Sequence, residues 1–338
     1  MEDRGLGRSV LRPTEQKLYD GIERALLRHE RVIPIAAGPG LHVEDILYTV
    51  IGDHPELIYF DKSHFLAGSG LFLKTRLELR GVITGAVEKK REMALQDAVE
   101  EAAFEVDKAS RDDFEILRGI SEYIQKSTRY DYTAAANPGG RYKEAHSAYG
   151  ALVEHSAVCD GIASAFCCIA KELGFPCMVV SGTSHLPNEK PVNHAWVILS
   201  YDGALYHLDP TWDLNLYEGA RVYGYTYFGL DDDAIALDHT WNIQKTPSCR
   251  GQKLNYFSHN GLVIQSRDDI RKVTRQQLRS GQNVIWLQLG CNITDAASDG
   301  SNIAQLVCES AAALLGGITT TYSYNNVQRT LMVKINRS

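Results

Sequence analysis

The 338-residue chain is 44% hydrophobic and 23% charged, an ordinary globular composition and long enough to bury two or three cores. Its formal net charge of -7 comes with Lys and Arg scattered along the chain rather than gathered into a stripe, which argues against nucleic acid as a partner. No window approaches the ~18 consecutive apolar residues of a membrane span, and residues 1–10 lack an apolar secretory core, so a soluble, cytoplasmic protein is expected.

Three blocks follow one another. Residues 1–110 read as an N-terminal α/β region. Pro13 and Thr14 open a helical pattern with Leu18, Ile22, Ala25 and Leu26 on one face, and residues 41–51 repeat that period until Asp53 and Pro55 break it. Leu71, Leu73, Leu77 and Leu79 alternate with Lys74, Arg76 and Glu78 as in a half-buried strand, and a long helix is predicted over 85–109.

Residues 111–250 open with a helix capped by Ser110, carrying Phe114, Leu117, Ile120 and Ile124, followed by a loop at Asn137, Pro138, Gly139 and Gly140. A second helix is predicted over 159–173, with Ala163, Phe166, Ala170 and Leu173 apolar, stopped by Gly174 with Pro176 just beyond. Strands over 193–200 and 204–209 are joined across Asp202-Gly203, a strong hairpin signal. Residues 251–338 read as a small C-terminal α/β domain expected to supply no catalytic group: a strand at 262–265, a helix capped by Ser266, a strand at 284–289, a helix over 302–315 closed by Gly316-Gly317, and two strands around Asn325-Asn326.

Cys159, Cys167, Cys168, Cys177, Cys249, Cys291 and Cys308 are odd in number and contain no C-x-x-C pair, against both a disulfide framework and a zinc ribbon. Only Cys159 sits where a nucleophile would. At a helix start, unpaired backbone N–H groups and the positive dipole end favour a thiolate and supply oxyanion donors. The small neighbours Ala157, Gly161 and Ala163 are expected to leave that corner open.

If Asp202-Gly203 is a two-residue turn, Tyr201 faces Ala204 and Trp196 faces Asp209. His194 then shares a face with Asp209 at roughly 7 to 8 Å between backbones, within reach of an imidazole and a carboxylate. A cysteine at a helix start with His and Asp on paired strands meets the geometry that thiol catalysis requires. The bland alternative is a buried helix cysteine, a satisfied strand histidine and a turn aspartate before Pro210.

The stretches from Ser147 to Val153, Val158 to Gly161, Asn193 to Trp196 and Tyr206 to Asp213 resemble the core of the bacterial transglutaminase-like family. The resemblance implies an α+β core of papain type with the nucleophile helix packed on an antiparallel sheet, and carries the family's Cys, His and Asp onto Cys159, His194 and Asp209. It implies a cysteine-dependent enzyme acting through a thioester on a protein or peptide substrate. Hydrolysis is favoured over amine transfer, because the latter needs a water-excluding acceptor channel that no feature shows. The rival is a catalytically silent scaffold of the same fold. Tyr149 is a candidate oxyanion donor and His207 a candidate supporting residue, while Trp196 and Trp212 are expected to pack around the triad. No cofactor or metal is expected, since Asp231-Asp232-Asp233 lacks calcium-loop spacing and reads as a solvated turn. His155, His185, His239 and His259 receive no role, and the oligomeric state is left open.

Overall fold

The computed structural model describes residues 5–35, 42–61, 65–69, 75–79, 81–137, 143–186, 188–217, 222–290, 293 and 300–337. Positions 71–74 of the predicted strand, 138–140 of the predicted loop and Cys291 lie outside them. The chain begins with α1 (Leu6–Ser9), α2 (Pro13–Leu27), β1 (Val32–Ile35), α3 (Val43–Asp53), β2 (Phe65–Ser69), β3 (Thr75–Leu79) and α4 (Ala86–Ala109). β1, β3 and β2 form an antiparallel sheet. Its core with α2 and α3 is built from Tyr19, Ile22, Leu26, Ile46, Leu47, Val50 and Leu77.

Next come α5 (Asp113–Ser127), β4 (Arg129–Tyr130), α6 (Tyr132–Ala136), a 3₁₀ turn (Lys143–His146), α7 (Ala148–Leu152), β5 (Ser156–Ala157), α8 (Cys159–Glu172), β6 (Cys177–Ser184), β7 (Val192–Tyr201), β8 (Ala204–Leu208), α9 (Pro210–Tyr217), β9 (Phe228–Leu230), α10 (Asp232–Ile235) and β10 (His239–Trp241). The cap of α5 is Asp112, whose side chain accepts from the Glu115 amide, not Ser110; the Ser110 hydroxyl donates back to the Val106 carbonyl and so belongs to the preceding helix.

β10, β6, β7, β8 and β9 form one antiparallel sheet in that order. α8 lies against β6 and β7 with α4, α5 and α7 around it, and every residue from Gly161 to Ala170 is buried, as expected of a helix that is apolar on all sides. It ends at Leu173 with Gly174 in the left-handed region. The result is the α+β, papain-like arrangement of a helix packed on an antiparallel sheet.

The remaining elements are α11 (Tyr256–His259), β11 (Val263–Ile264), α12 (Arg267–Arg279), β12 (Val284–Leu289), α13 (Gly300–Leu315), β13 (Ile318–Asn325) and β14 (Thr330–Arg337). They build a sheet ordered β11-β12-β14-β13, with α12 and α13 packed against it. One apolar core runs from Leu95 and Val99 of α4 through Phe166 of α8 to Trp286 of β12 and Val333 of β14. No described helix is long and apolar enough to cross a membrane.

Candidate active site

Cys159 occupies the first turn of α8, half-buried, with Val158 as the N-terminal flank. By the geometry of a helix start, the amides of Cys159 and Asp160 have no partner inside the helix, while that of Gly161 donates to Asp160 Oδ1 at 2.9 Å. Asp160 also meets His146 Nδ1 at 2.9 Å. That hydrogen bond outweighs burial and raises the His146 pKa. The small residues here do not leave a corner open. Gly161 is buried, and a Cβ on it would stand 2.3 Å from the Ala145 carbonyl oxygen and 3.0 Å from the Ala157 Cβ, so the small side chains let the 3₁₀ turn close onto the helix start.

The hairpin has the register expected from its turn. Tyr201 faces Ala204, Ile198 faces His207 and Val197 faces Leu208; Asp202 and Gly203 both have positive φ, 48° and 75°, as a type I′ turn requires. The β7–β8 ladder stops at Leu208, and the Asp209 amide donates instead to the Tyr227 carbonyl. His194 Nε2 lies 2.7 Å from Asp209 Oδ2, and Cys159 is near enough to the same ring to raise its pKa. With Nε2 engaged by the carboxylate, Nδ1 is the nitrogen left for the sulfur. Burial alone would lower the His194 pKa, but the charge and hydrogen bond of Asp209, together with Cys159, raise it to about 9.

Asp209 is fully buried. Oδ1 accepts the backbone amides of Thr211 and Trp212, each at 3.0 Å, and Oδ2 accepts a second imidazole, His239 Nε2, at 3.1 Å. Burial opposes its charge, yet His194 and His239 hold the carboxyl well below the usual carboxylate range. His239 Nδ1 meets Asp238 Oδ1 at 2.6 Å, and Asp238 Oδ2 accepts from the Tyr227 hydroxyl at 2.6 Å and from the Gln328 amide at 3.3 Å. His239 and Asp238 are the residues that sequence reasoning missed. β10 is three residues long and reaches the site only by pairing with β6, His239 opposite Ser184, a contact that no local pattern announces. The adjacent acid and imidazole of Asp238-His239 was the available signal.

His207 is buried; its Nδ1 accepts from Trp196 Nε1 at 3.0 Å, and its Nε2 lies 3.0 Å from Asp232 Oδ1. Burial lowers its pKa, consistent with a neutral ring that donates from Nε2. Trp196, fully buried, stands between His207 and His194, 6.1 Å from the latter by ring centroids and nearly parallel to it. Trp212 lies 4.8 Å from the His239 ring and 6.1 Å from that of His194. Tyr149 lies beneath the Arg91 guanidinium, whose centre is 5.4 Å from its ring centroid. The tyrosine in the field of the sulfur is Tyr130, whose pKa is raised by burial first and then by Cys159 and Asp160.

The acidic run is not a solvated turn. Asp231 caps α10, and Asp232 turns inward to His207, the Ser248 hydroxyl and the Cys249 amide. Among the described residues, three groups have potential metal-ligand atoms within 4.8 Å of one another: His194, Asp209 and His239; His207, Asp232 and Cys249; and His29, Glu88 and Glu92. An ion on His207 Nε2 would drive the proton to Nδ1, where it would meet the Trp196 N–H donor to donor. In the first group, both imidazoles meet the same Asp209 oxygen at hydrogen-bond distances.

Among solved structures, the chain is similar to a TGase, with 17% identity and a TM-score of 0.33, covering 44% of each chain. A cysteine protease candidate from Cytophaga hutchinsonii shares 14% identity with a TM-score of 0.29, over 44% of this chain and 61% of that one. Menin, whose structure reveals a binding site for the Mixed Lineage Leukemia protein, shares 14% identity with a TM-score of 0.25, over 64% and 51%. The chain thus spans less than two thirds of each of these structures, and no curated protein matches it. The family model of the transglutaminase-like superfamily matches residues 100–210, about a third of the chain and the stretch holding Cys159, His194 and Asp209.

Proposed function

We infer that the protein is a cysteine-dependent enzyme that cleaves a carboxamide or peptide bond of a protein or peptide substrate through a thioester on Cys159. The observation that carries this reading is the His194 ring, hydrogen-bonded at 2.7 Å to the buried Asp209 and near enough to Cys159 for the thiol to raise its pKa. Cys159, partly buried while both partners are buried, attacks the carbonyl carbon through its sulfur, and the helix-start amides receive the oxyanion. As the C–N bond breaks, His194 gives its sulfur-facing proton to the leaving nitrogen. Asp209 keeps the other ring nitrogen protonated and the ring aimed. Water then attacks the thioester, with His194 taking its proton, and frees the acid and the thiol.

The experiment is incubation of the full chain with a glutamine-containing protein and a labelled primary amine, with Cys159→Ala as control. Cleavage or deamidation without label, absent from the control, is expected. Stable incorporation of the amine would replace hydrolysis by transfer as the second step. Absence of both, with Cys159 no faster to alkylate than an ordinary thiol, would leave the fold as a scaffold.

A further inference from the structure

Asp209 touches two imidazoles, and His194 is the one that reaches the sulfur. The other, His239, is held between two carboxylates, Asp209 at Nε2 and Asp238 at Nδ1. Ionised carboxylates accept hydrogen bonds and cannot donate them, so a ring bonded to both carries a proton on each nitrogen. Asp238 has no freedom to turn away, because its second oxygen is pinned by Tyr227 and by Gln328 from the loop joining β13 and β14. His239, Asp238 and Asp209 are all buried. The backbone is shaped to allow this approach: a Cβ on Gly182 of β6 would stand 2.3 Å from the Thr240 carbonyl oxygen and 2.7 Å from the Trp196 ring.

We propose that His239, anchored by Asp238, is a positioning residue of the active site, a standing cation that keeps the buried Asp209 carboxylate ionised and aimed at His194 while offsetting part of the charge His194 feels. The proposal rests on the cysteine-enzyme reading above. It extends the unit to a row of five groups: Asp238, His239, Asp209, His194 and the sulfur of Cys159. In such a buried row each member compensates its neighbours, and removal of one leaves the next uncompensated. Burial alone would lower the His239 pKa; the hydrogen bonds and charges of Asp209 and Asp238 outweigh it and raise it to about 9. The titratable groups facing His239 are His194 of β7, His207 of β8, Asp209, Tyr227 ahead of β9, and Asp238. β6 runs beside it through the uncharged Gly182, Thr183 and Ser184.

The proposal predicts a direction that a merely structural histidine would not give. The alkaline limb of Cys159 alkylation by iodoacetamide reports when His194 loses its proton. With the cation removed in His239→Gln, Asp209 acts on His194 undiluted, and that limb moves up by about one pH unit. Asp238→Asn, which weakens the cation without deleting the ring, moves it the same way by less and serves if the first variant does not fold. In the wild-type full chain, ¹⁵N-histidine NMR at pH 7 is expected to show both His239 nitrogens protonated. A neutral His239 at pH 7, or a limb that stays put or moves down in the variants, overturns the proposal. The His194→Ala variant tests the underlying reading alone: if its alkylation profile matches the wild type, the cysteine-enzyme reading fails first and the proposal with it.

Discussion

Asp209→Asn exchanges one carboxylate oxygen for an NH₂ group of nearly the same shape, and the surrounding donors dictate how it settles. Thr211 and Trp212 present backbone amides to one oxygen, and these protons cannot leave, so the Asn carbonyl must face them. The NH₂ then faces His194 and His239 and donates to both Nε2 atoms, which forces each ring to shed its Nε2 proton. The packing survives while both imidazoles become neutral. In the wild type each has its folded pKa raised to about 9 from an ordinary value near 6.5. This stabilisation is therefore fully present below about pH 6.5 and is lost as pH rises through about 9. For one histidine it is on the order of 3 kcal/mol; because the two share one carboxylate, we count it once. Asp209 sets the acid side: its folded pKa is depressed, so its contribution is present above its unfolded value of ~3.9 and lost as pH falls toward the folded one. The variant has the opposite slope. Its rings are buried neutral while the unfolded chain binds protons, so its stability rises with pH up to about 6.5 and is then flat. Urea unfolding followed by tryptophan fluorescence at pH 5.5, 7.5 and 9.5 should show a gap of about 5 kcal/mol at pH 5.5 for one histidine, the wild type's stabilisation plus what the variant loses below about pH 6.5, that closes by pH 9.5. A variant that loses stability between pH 6.5 and 9 as steeply as the wild type would refute the reasoning.

Other perturbations test other parts of the site. Gly161→Ala places a methyl against the Ala145 carbonyl oxygen, 2.3 Å away without relaxation; a loss of roughly 2 kcal/mol is expected from denaturant unfolding, with slower Cys159 alkylation. Iodoacetamide at neutral pH should label Cys159 in the native protein well before Cys167 and Cys249, which are buried and whose thiols burial pushes up. Peptide mass spectrometry decides this, and equal labelling of Cys249 would count against a special Cys159. Trp196→Phe leaves His207 Nδ1 as a buried acceptor without its donor, at a cost of about 1 to 3 kcal/mol; unchanged stability would show that this hydrogen bond is not needed.

The parts of the molecule that were legible in the sequence are those whose signals are local. The α8 boundaries follow from apolar spacing and Gly174, and the β7–β8 register from Asp202-Gly203, so the meeting of His194 and Asp209 is a consequence of the hairpin turn. β6 was missed because its apolar residues crowd its first half before Ser181, Gly182 and Thr183 interrupt them, and a strand held between two partners needs no alternation. β10 was missed because it has three residues and its partner lies more than fifty positions earlier. Asp231 to Asp233 looked solvated because charge runs usually are, and only the fold brings His207 over Asp232. Small residues at Cys159 suggest open space from the sequence, whereas Gly161 lets the Ala145 backbone approach the helix start closely.

The network behind Asp209 is also distributed in time. Cys159, His194 and Asp209 leave the ribosome within one continuous stretch, but the amide that pins Asp238 belongs to Gln328, 90 positions later, and Asn325 of the same turn holds the Tyr227 hydroxyl. At ordinary translation rates, those 90 positions take roughly 5 to 18 seconds. During that interval the nascent chain already carries its thiol and imidazole, while the far end of the hydrogen-bonded row hangs unfastened. The row of hydrogen bonds behind Asp209 is therefore complete only once the β13–β14 turn has been synthesised.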